Sequence, residues 1–368
     1  MSSEVRERPR FCVIGAGHGG LAMAGHLGFM GFDVHLHNRS EERIAPVKAR
    51  GGVQLEGEVV GFGSTALATT NAEEAVTGCD VIMVVVPATA HRDVAKACAP
   101  HLSDGQIVVL NPGRTLGAIE FHQVLRSQGC KADVIVAEAQ TLIYASRATG
   151  PGEARIFRIK NAIPVASVRA QLIPKVLEKL RIAFPQFVPG DNVLKTGLNN
   201  IGAVFHPAQM LLNAGWVESA DDFEFYNQAA SKSVSRVLQQ LDRERVAVAA
   251  ALGVRAMTAR EWLYFAYGAT GSDLPEAMAE NPGYNGIRAP RRMNHRYITE
   301  DVPTSLVPIA SLGHKFGRPT PIMDCIIGLA SVMREEDYWA TGRTVERLGL
   351  QDMSLRELLL LAIGEEPA

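Results

Sequence analysis

The chain has 368 residues, 47% of them hydrophobic, and a formal net charge of −2 at pH 7. Its length allows two domains, and its balanced charge argues against a nucleic-acid partner, because no run of basic residues reaches five. The apolar stretches are strand-sized and fall short of the roughly 20 residues of a membrane span, so no membrane partner is expected. The first ten residues carry no hydrophobic signal region, and the five scattered cysteines suit reduced thiols, which predicts a cytoplasmic protein.

The first predicted element is a short buried strand followed directly by a glycine-rich turn. The strand is Phe11–Ile14, and the six residues after it have the spacing G-x-G-x-x-G and lead into a helical run. In a dinucleotide-binding fold, these glycines allow the tight turn, the approach of a pyrophosphate and close packing of the helix on the strand. A plain glycine turn in another α/β fold is the alternative. The turn residues expected to contact a cofactor are Gly15, Gly17, His18, Gly19 and Gly20.

The second predicted strand, near residues 32–37, ends at Asn38, Arg39 and Ser40. Sites for NAD usually carry Asp or Glu at this point to bind the ribose 2′-OH, and no acid stands at this strand end. All three side chains can donate to a phosphate, and arginine does so as a planar fork. The segment therefore predicts NADP in preference to NAD, with an ordinary surface arginine as the alternative.

Three further apolar runs, at residues 81–86, 107–110 and 134–137, alternate with helical stretches. This pattern predicts a parallel sheet covered on both faces. Ligands of such sheets bind beyond the carboxyl ends of the strands, so the loops there should share one rim. Strand or hairpin is predicted for residues 155–165 and helix for residues 168–184. The strand-end residues expected at the cofactor are Pro87, Ala88, Asn111 and Glu138.

The character of the sequence changes after residue 190. From about residue 193 the chain is predicted to be almost wholly helical, and apolar residues recur at helical spacing within residues 231–252, which indicates core packing. Residues 268–292, rich in Gly, Pro, Asn and Arg, are predicted to form a long loop. The predicted fold class is α/β: an N-terminal Rossmann domain with a doubly wound parallel sheet, residues 1–190, followed by an all-α C-terminal domain, residues 191–368.

A metal site is not predicted from the ten histidines. His35 and His37 would share one face of a strand, but no third ligand lies nearby and no H-E-x-x-H segment occurs. Half-buried strand histidines explain the pair better.

His206 lies in an apolar helical stretch, seven residues after Asn199 and seven before Asn213. In an uninterrupted helix the three side chains would lie on nearly one face, although Pro207 can distort such a helix. A neutral imidazole is well suited to donate and accept protons near pH 7 at a carbonyl or imine. A hydrogen-bonded core histidine with capping asparagines fits the pattern equally well.

The segment from Arg296 to Pro303 also contains candidate site residues. Arg296 can bind a carboxylate through both guanidinium nitrogens, Tyr297 can line a pocket, and Asp301 is expected at a structured turn or helix start. A helix N-terminus that carries acids, with Arg296 paired to one of them at the surface, is the alternative.

The chain resembles the octopine/nopaline (opine) dehydrogenases from about residue 11 to about residue 333. Four segments carry the likeness: the glycine turn, residues 137–147, residues 199–213 and residues 296–303. The resemblance implies a His–Asp pair that works with an arginine, and the matching residues are His206, Asp301 and Arg296. It also implies that Asn199, Tyr297 and Tyr144 bind substrate.

The reaction implied by the resemblance is a reductive condensation. An amino acid or amine condenses with a 2-oxo acid such as pyruvate, and NADPH or NADH reduces the imine. Asp301 would fix the tautomer of His206, His206 would exchange protons with the condensing groups, and Arg296 would bind a carboxylate. No metal is implied, and the family expectation is a homodimer.

Other functions share part of this pattern. A 2-oxo-acid reductase of the ketopantoate type has the glycine turn and the Asn-Arg-Ser strand end but relies on a lysine, for which Lys195 is the obvious candidate. An imine reductase would take less acidic partners. A nucleotide-sensing protein without catalysis would not require His206, Asp301 and Arg296 together.

Overall fold

The computed structural model describes residues 8–219, 221–281 and 284–365. Most of the first ten residues, in which no signal region is predicted, lie outside these ranges. The chain forms two compact units. The first contains the described residues up to Gly113, residues 117–196 and the residues from Leu360 onward, and the second contains Arg114–Leu116 and Gly197–Leu359.

The strands of the described residues all belong to the first unit. In chain order they are β1 (Phe11–Ile14), β2 (Val34–His37), β3 (Gly52–Gly57), β4 (Gly61–Ser64), β5 (Leu67–Thr69), β6 (Val81–Val84), β7 (Ile107–Leu110), β8 (Ile135–Ala139), β9 (Tyr144–Gly150), β10 (Glu153–Ile159), β11 (Ile163–Ser167) and β12 (Phe187–Pro189). The α-helices that lie wholly in this unit are α1 (His18–Phe29), α2 (Glu41–Arg50), α3 (Ala72–Val76), α4 (His91–Cys98), α5 (Gly117–Ser127) and α6 (Ile173–Leu180).

Eight of the strands form one sheet in the order β12-β11-β8-β7-β6-β1-β2-β5. The six strands from β5 to β8 in this order are all parallel to one another, whereas β11 is antiparallel to β8 and β12 is parallel to β11. The central strands β1, β6 and β7 are buried along their whole length, as expected for apolar runs covered on both faces. The predicted parallel sheet is confirmed, and the carboxyl ends of its parallel strands lie at one edge.

A second sheet, in the order β4-β3-β10-β9, was not predicted. Residues 155–165 do not form a hairpin, because β10 belongs to this small sheet and β11 to the large one. Helix α1 packs closely on the small sheet, since a side chain at Gly63 of β4 would overlap the carbonyl group of Gly25. The short strands contain glycines and polar residues, so they lack the continuous apolar runs that identify the large sheet.

The regular secondary structure of the second unit is helical among its described residues, apart from one isolated β-bridge between Glu224 and Arg288. Its helices, of which the first and last cross the unit boundary, are α7 (Val193–Leu198), α8 (Gly202–Leu212), α9 (Ala214–Glu218), α10 (Lys232–Ala251), α11 (Ala259–Tyr267), α12 (Leu274–Ala279), α13 (Arg296–Thr299), α14 (Val307–Lys315), α15 (Pro321–Arg334), α16 (Tyr338–Thr341) and α17 (Leu355–Ile363). A π-helical turn, Val302–Leu306, joins α13 to α14. No described helix combines the length and apolar character needed to cross a membrane.

The longest helix, α10, confirms the predicted apolar stripe. The Ser231 side chain caps its first turn, and the stripe residues Val234, Leu238, Leu241 and Val248 are all buried. The predicted loop at residues 268–292 instead contains α12, which Asp273 caps, while residues 282 and 283 lie outside the described ranges.

Candidate active site

The glycine turn joins β1 to α1 in the first unit. Gly15 has a φ of +116°, and a side chain at Gly20 would overlap the Gly15 carbonyl group, so both positions require glycine. A Cβ atom at Gly17, in contrast, would meet only the Arg43 guanidinium, at 3.9 Å. The first N–H groups of α1 have no side-chain cap. This open helix start therefore fits the pyrophosphate of a dinucleotide.

His18 and Gly19 hold the turn in place. The His18 Nδ1 atom accepts a hydrogen bond from the backbone N–H of Ala148 at 2.8 Å, which attaches the turn to β9. Gly19 lies against the side chains of Leu142 and Val85, where a larger residue would collide. Neither interaction prevents their backbone from facing a cofactor.

Asn38 also braces the turn, because its Oδ1 atom accepts a hydrogen bond from the backbone N–H of Ala16 at 3.2 Å. Arg39 is exposed, and Ser40 precedes α2 without capping it through its side chain. In the described part of the chain, the guanidinium groups of Arg39 and Arg43 have no hydrogen-bond or ion-pair partner. Two cations without a carboxylate partner thus lie near the turn, and Arg43 was not singled out from the sequence.

The other predicted cofactor residues differ in their surroundings. Pro87 is exposed after β6, and Ala88 is buried in the short 3₁₀ turn that follows. Asn111, buried at the end of β7, donates to the Val109 carbonyl at 2.8 Å, and its Oδ1 atom has no partner among the described residues. A buried acceptor at the carboxyl edge of the sheet is suited to a polar ligand group.

Glu138 does not lie in a strand-end loop, so this prediction is wrong. Strand β8 extends to Ala139, which places Glu138 inside the sheet and buries it completely. Its carboxylate accepts hydrogen bonds from the Ala118 N–H at 2.9 Å and the Thr196 hydroxyl at 2.6 Å. Glu138 therefore caps α5 in the interior.

His206 and Asp301 meet in the second unit, as expected. The His206 Nδ1 atom lies 2.8 Å from the Oδ2 atom of Asp301, which is fully buried. The carboxylate can only accept this hydrogen bond, so Nδ1 carries a proton, and the tautomer that fits this pairing has its lone pair at Nε2. The Tyr297 ring stacks on the imidazole, with centroids 4.0 Å apart and planes at 16°. His206 is therefore fixed both in tautomer and in orientation.

Arg114 anchors the carboxylate side of this pair. Its Nη1 atom lies 2.9 Å from Asp301 Oδ1, and its Nε atom lies 3.1 Å from Glu300. Burial by itself disfavours the charged form of Asp301, but Arg114 and His206 outweigh it and hold the pKa of Asp301 below its usual range. Burial likewise disfavours the Arg114 cation, yet Asp301 and Glu300 raise the pKa of Arg114. Both groups are therefore charged.

Tyr226 occupies the other nitrogen of His206. Its hydroxyl oxygen lies 2.9 Å from His206 Nε2, and in the tautomer with its proton at Nδ1 the tyrosine is the donor. Burial is the main cause that raises the pKa of Tyr226 well above its usual value, with Tyr297 contributing. The hydroxyl therefore stays protonated.

Asn199 does not share the helix of His206, because the uninterrupted helix on which that prediction depends does not form. Helix α7 ends at Leu198 and α8 begins at Gly202, so Asn199 lies in the break between them. Its Oδ1 atom accepts from the Met257 N–H at 2.8 Å, while Asn213 ends α8 and donates to the Gln209 carbonyl at 2.8 Å. Helix α8 continues through Pro207.

Arg296 and Tyr144 have opposite environments. Arg296 begins α13, is exposed, and has no hydrogen-bond or ion-pair partner for its side chain within the described ranges, although its charge helps to lower the pKa of Asp301. Tyr144, in the first unit, is buried, and its hydroxyl lies 2.9 Å from His26 Nδ1. Arg296 is available to a ligand, whereas the Tyr144 hydroxyl is already hydrogen-bonded.

Sequence reasoning missed Arg114, Glu300 and Tyr226. Arg114 follows the end of β7, where a ligand contact is expected, but nothing in the sequence pairs it with Asp301. Tyr226 lies 20 residues after His206, and no helical spacing relates them.

Lys195, the candidate catalytic residue of the reductase alternative, forms an ion pair with Asp191. Among the described residues no group of His, Cys, Asp and Glu could hold a metal ion.

Comparison with known proteins supports the reading of both units. A family model described as the alpha-helical domain of NAD/NADP octopine/nopaline dehydrogenase matches residues 189–334. A second family model, described as the NAD binding domain of 6-phosphogluconate dehydrogenase, matches residues 10–131.

Two solved structures illustrate the shared fold. Octopine dehydrogenase with NADH and L-arginine has a TM-score of 0.82 at 21% identity and covers 98% of this chain and 99% of its own. The NADP⁺-bound yersinopine dehydrogenase has a TM-score of 0.74 at 15% identity and covers 97% and 96%.

The relationship extends over nearly the whole sequence. The opine dehydrogenase of Arthrobacter sp. (strain 1C) is 36% identical over 349 residues, covering 95% of this chain and 97% of that protein. A match of this extent includes the His206 helix and the Asp301 segment together. This chain therefore belongs to the opine dehydrogenase family of NAD(P)-dependent oxidoreductases acting on CH–NH bonds.

Proposed function

We propose that this protein condenses an amino acid or amine with a 2-oxo acid such as pyruvate and reduces the resulting imine with NADPH. The observation that carries the proposal is the fixed His206–Asp301 pair, 2.8 Å apart, with Arg114 on the far side of the carboxylate. A histidine held in one tautomer can take a proton from an amine and return it to a leaving hydroxyl group. Condensation requires both transfers.

The remaining substrate roles follow from exposure and charge. Arg296 would bind the carboxylate of the 2-oxo acid through its exposed guanidinium. Tyr297 would form the wall over His206, and Asn199 would position the break between α7 and α8. The buried Tyr144 would support β9. A bound nicotinamide would supply the hydride, and the protein's own part is to orient the imine and to move protons.

Turnover should require the amine and the 2-oxo acid together. In an NADPH oxidation assay with a panel of 2-oxo acids, consumption should appear only when an amino acid or amine is added. The reason is that the imine, and not the ketone, is the group to be reduced. Rapid consumption with a 2-oxo acid alone, unaffected by any amine, would instead assign a hydroxy-acid reductase.

For the cofactor, we propose NADP in preference to NAD, held at its 2′-phosphate by Arg39 together with Arg43. Support comes from two guanidinium groups without a carboxylate partner in the described residues, one of them 3.9 Å from the Cβ position of Gly17. The nearby acid Glu41 faces Lys48 at 3.8 Å. A ribose 2′-OH would need an acid, whereas a phosphate needs these cations.

Arg39→Asp should therefore shift the preference from NADPH towards NADH. Loss of the charged contact to the 2′-phosphate should cost about 1.5–3 kcal/mol of NADPH binding. Dissociation constants of both cofactors, measured by fluorescence titration, test this. Lys131→Asp, an equal charge change at an exposed position before β8, should leave the ratio unchanged. Equal binding of NADH and NADPH by the wild type would contradict the assignment.

We further propose a homodimer in the cytoplasm. The helix α15 exposes Leu329, Val332 and Met333, with Val332 78% exposed, and a cluster of apolar side chains on one helix face favours association. All five cysteines carry free thiols, four of them buried, as suits a reducing compartment.

A further inference from the structure

We propose that the Tyr226 hydroxyl relays protons between His206 and the nitrogen and oxygen atoms of the substrates. This inference rests on the proposed condensation and deepens it, because it names the group that the reacting atoms meet. The observation behind it is that Tyr226 lies at hydrogen-bond distance, 2.9 Å, from His206 Nε2. Nε2 is the only nitrogen through which His206 can exchange a proton with a substrate, since Nδ1 is bound to Asp301.

The hydroxyl group cannot easily move away to admit a substrate. The Tyr226 ring stacks on Tyr284, with centroids 4.2 Å apart and planes at 17°. It makes edge contacts with Phe205 and Phe225, at centroid distances of 6.4 and 5.0 Å, and the residue is only 8% exposed. Displacement would have to break this close packing.

One face of the His206 ring is also covered. The Tyr297 ring covers the imidazole at a centroid distance of 4.0 Å, and the His206 side chain is 16% exposed. With Asp301 on Nδ1, Tyr297 on one face and Tyr226 on Nε2, a direct approach to the imidazole lone pair is blocked. A proton must then pass through the tyrosine oxygen.

The hydroxyl group has the capacity for this transfer. A tyrosine hydroxyl donates one hydrogen bond and retains lone pairs that accept another. Its own proton points to Nε2, and its oxygen, which also hydrogen-bonds the Tyr297 side chain, keeps a lone pair that can accept a proton from a bound ammonium group. The raised pKa of Tyr226, caused mainly by burial, favours the neutral phenol before and after each transfer.

The proton balance of condensation closes with one relay. The substrate ammonium gives a proton to the Tyr226 oxygen as Tyr226 gives its own to His206 Nε2, which leaves a neutral amine and an imidazolium stabilised by Asp301. The amine then forms the C–N bond at the carbonyl carbon, and the carbonyl π electrons move to oxygen. A second proton passes from that nitrogen to the oxygen, which gives a carbinolamine.

The relay then runs in reverse. His206 returns its proton to Tyr226 as Tyr226 protonates the carbinolamine hydroxyl, the C–O bond breaks, and water leaves. The product is an iminium ion, which accepts the hydride to give a neutral secondary amine. The two hydrogens of the released water both come from the starting ammonium group, so no further acid is needed.

Tyr226→Phe tests the relay because it keeps the ring and removes only the hydroxyl group. The substrates are pyruvate and whichever protein amino acid gives the highest wild-type rate. The variant should lower kcat by at least about a hundredfold, the lower end of general acid–base help, while NADPH affinity stays unchanged. Tyr284→Phe, a matched control whose ring stacks on Tyr226 but whose hydroxyl does not contact His206, should stay near the wild-type rate.

A proton inventory in mixtures of light and heavy water separates relay from packing. The wild type should show a curved dependence of kcat on deuterium fraction, because two protons move together, and Tyr226→Phe should show a linear one. A wild-type kcat in Tyr226→Phe, or a lowered kcat with an unchanged curve, would overturn the relay. If the wild type instead oxidises NADPH without any amine, the proposed condensation itself fails, whatever Tyr226 does.

Discussion

Replacing His206 by alanine should lower kcat for the amine-dependent reaction by at least about a hundredfold, the usual scale of general acid–base help. The variant loses the imidazole that Asp301 orients. Among the described residues, no other side chain that is hydrogen-bonded to Asp301 can take over the proton transfer of His206. NADPH binding should barely change, because His206 lies outside the unit that carries the glycine turn. Steady-state kinetics together with a cofactor titration measure both effects.

Asp301→Asn should reproduce most of this loss. The amide can donate to Nδ1, which moves the imidazole proton to Nε2 and removes the acceptor that Tyr226 needs. Since the pKa of Asp301 is lowered, the wild-type carboxylate stays ionised as the pH falls, so the deficit of the variant should persist throughout the neutral range. Retention of wild-type kcat in Asp301→Asn would exclude the pair from catalysis, even though the two side chains touch.

Arg114→Met should destabilise the protein by about 3–5 kcal/mol, because it leaves two buried carboxylates without their cation. Asp301 and Glu300 are 0% and 3% exposed and lie 2.9 and 3.1 Å from the guanidinium. The sign with pH follows from the depressed pKa of Asp301. The stability that its pairing provides is present above the unfolded-state pKa and is lost as the pH falls through the folded-state value. Thermal unfolding at several pH values measures both effects.

A double variant separates the structural role of Arg114 from catalysis. Arg114→Met with Asp301→Asn removes one charge of each sign, so it should regain part of the lost stability and remain inactive. Arg114→Lys should keep the charge but lose the fork that reaches both carboxylates, and should fall between the wild type and methionine. Equal stability of Arg114→Met and the wild type would contradict the anchoring role.

The large sheet could be predicted because each of its central strands is a short apolar run that can be identified from its own sequence. Strand β7 has the predicted bounds, and the predicted run at 81–86 contains β6, since β-branched apolar runs buried on both faces have few other uses. The small sheet could not be found in this way. Its strand β4 is half glycine, and its order depends on pairings such as β3 with β10 that are distant in sequence.

The candidate site likewise contains one part that a local motif predicts and another that depends on contacts distant in sequence. The glycine turn belongs to the first part, because the spacing of its glycines is enough to locate it. The His206–Asp301 contact spans 95 positions and was predicted from a family resemblance, not from any periodicity. Arg114 and Tyr226 complete the site through tertiary packing, and no pattern of spacing in the sequence refers to them. The break at Asn199 was missed because an apolar run with helical spacing does not reveal where two helices meet.

The three residues Arg114–Leu116 belong to the helical unit although the residues on both sides belong to the other one. A backbone hydrogen bond holds this segment in the helical unit: the Thr115 N–H donates to the Thr304 carbonyl at 3.2 Å. A C-terminal fragment that begins at Gly197 would therefore carry the histidine and both acids but not their cation. Exchange of helical parts between relatives by recombination must transplant this distant tripeptide as well. A chimera that takes its helices from one parent and residues 114–116 from another combines the two buried carboxylates of one protein with the residue that the other protein has at position 114.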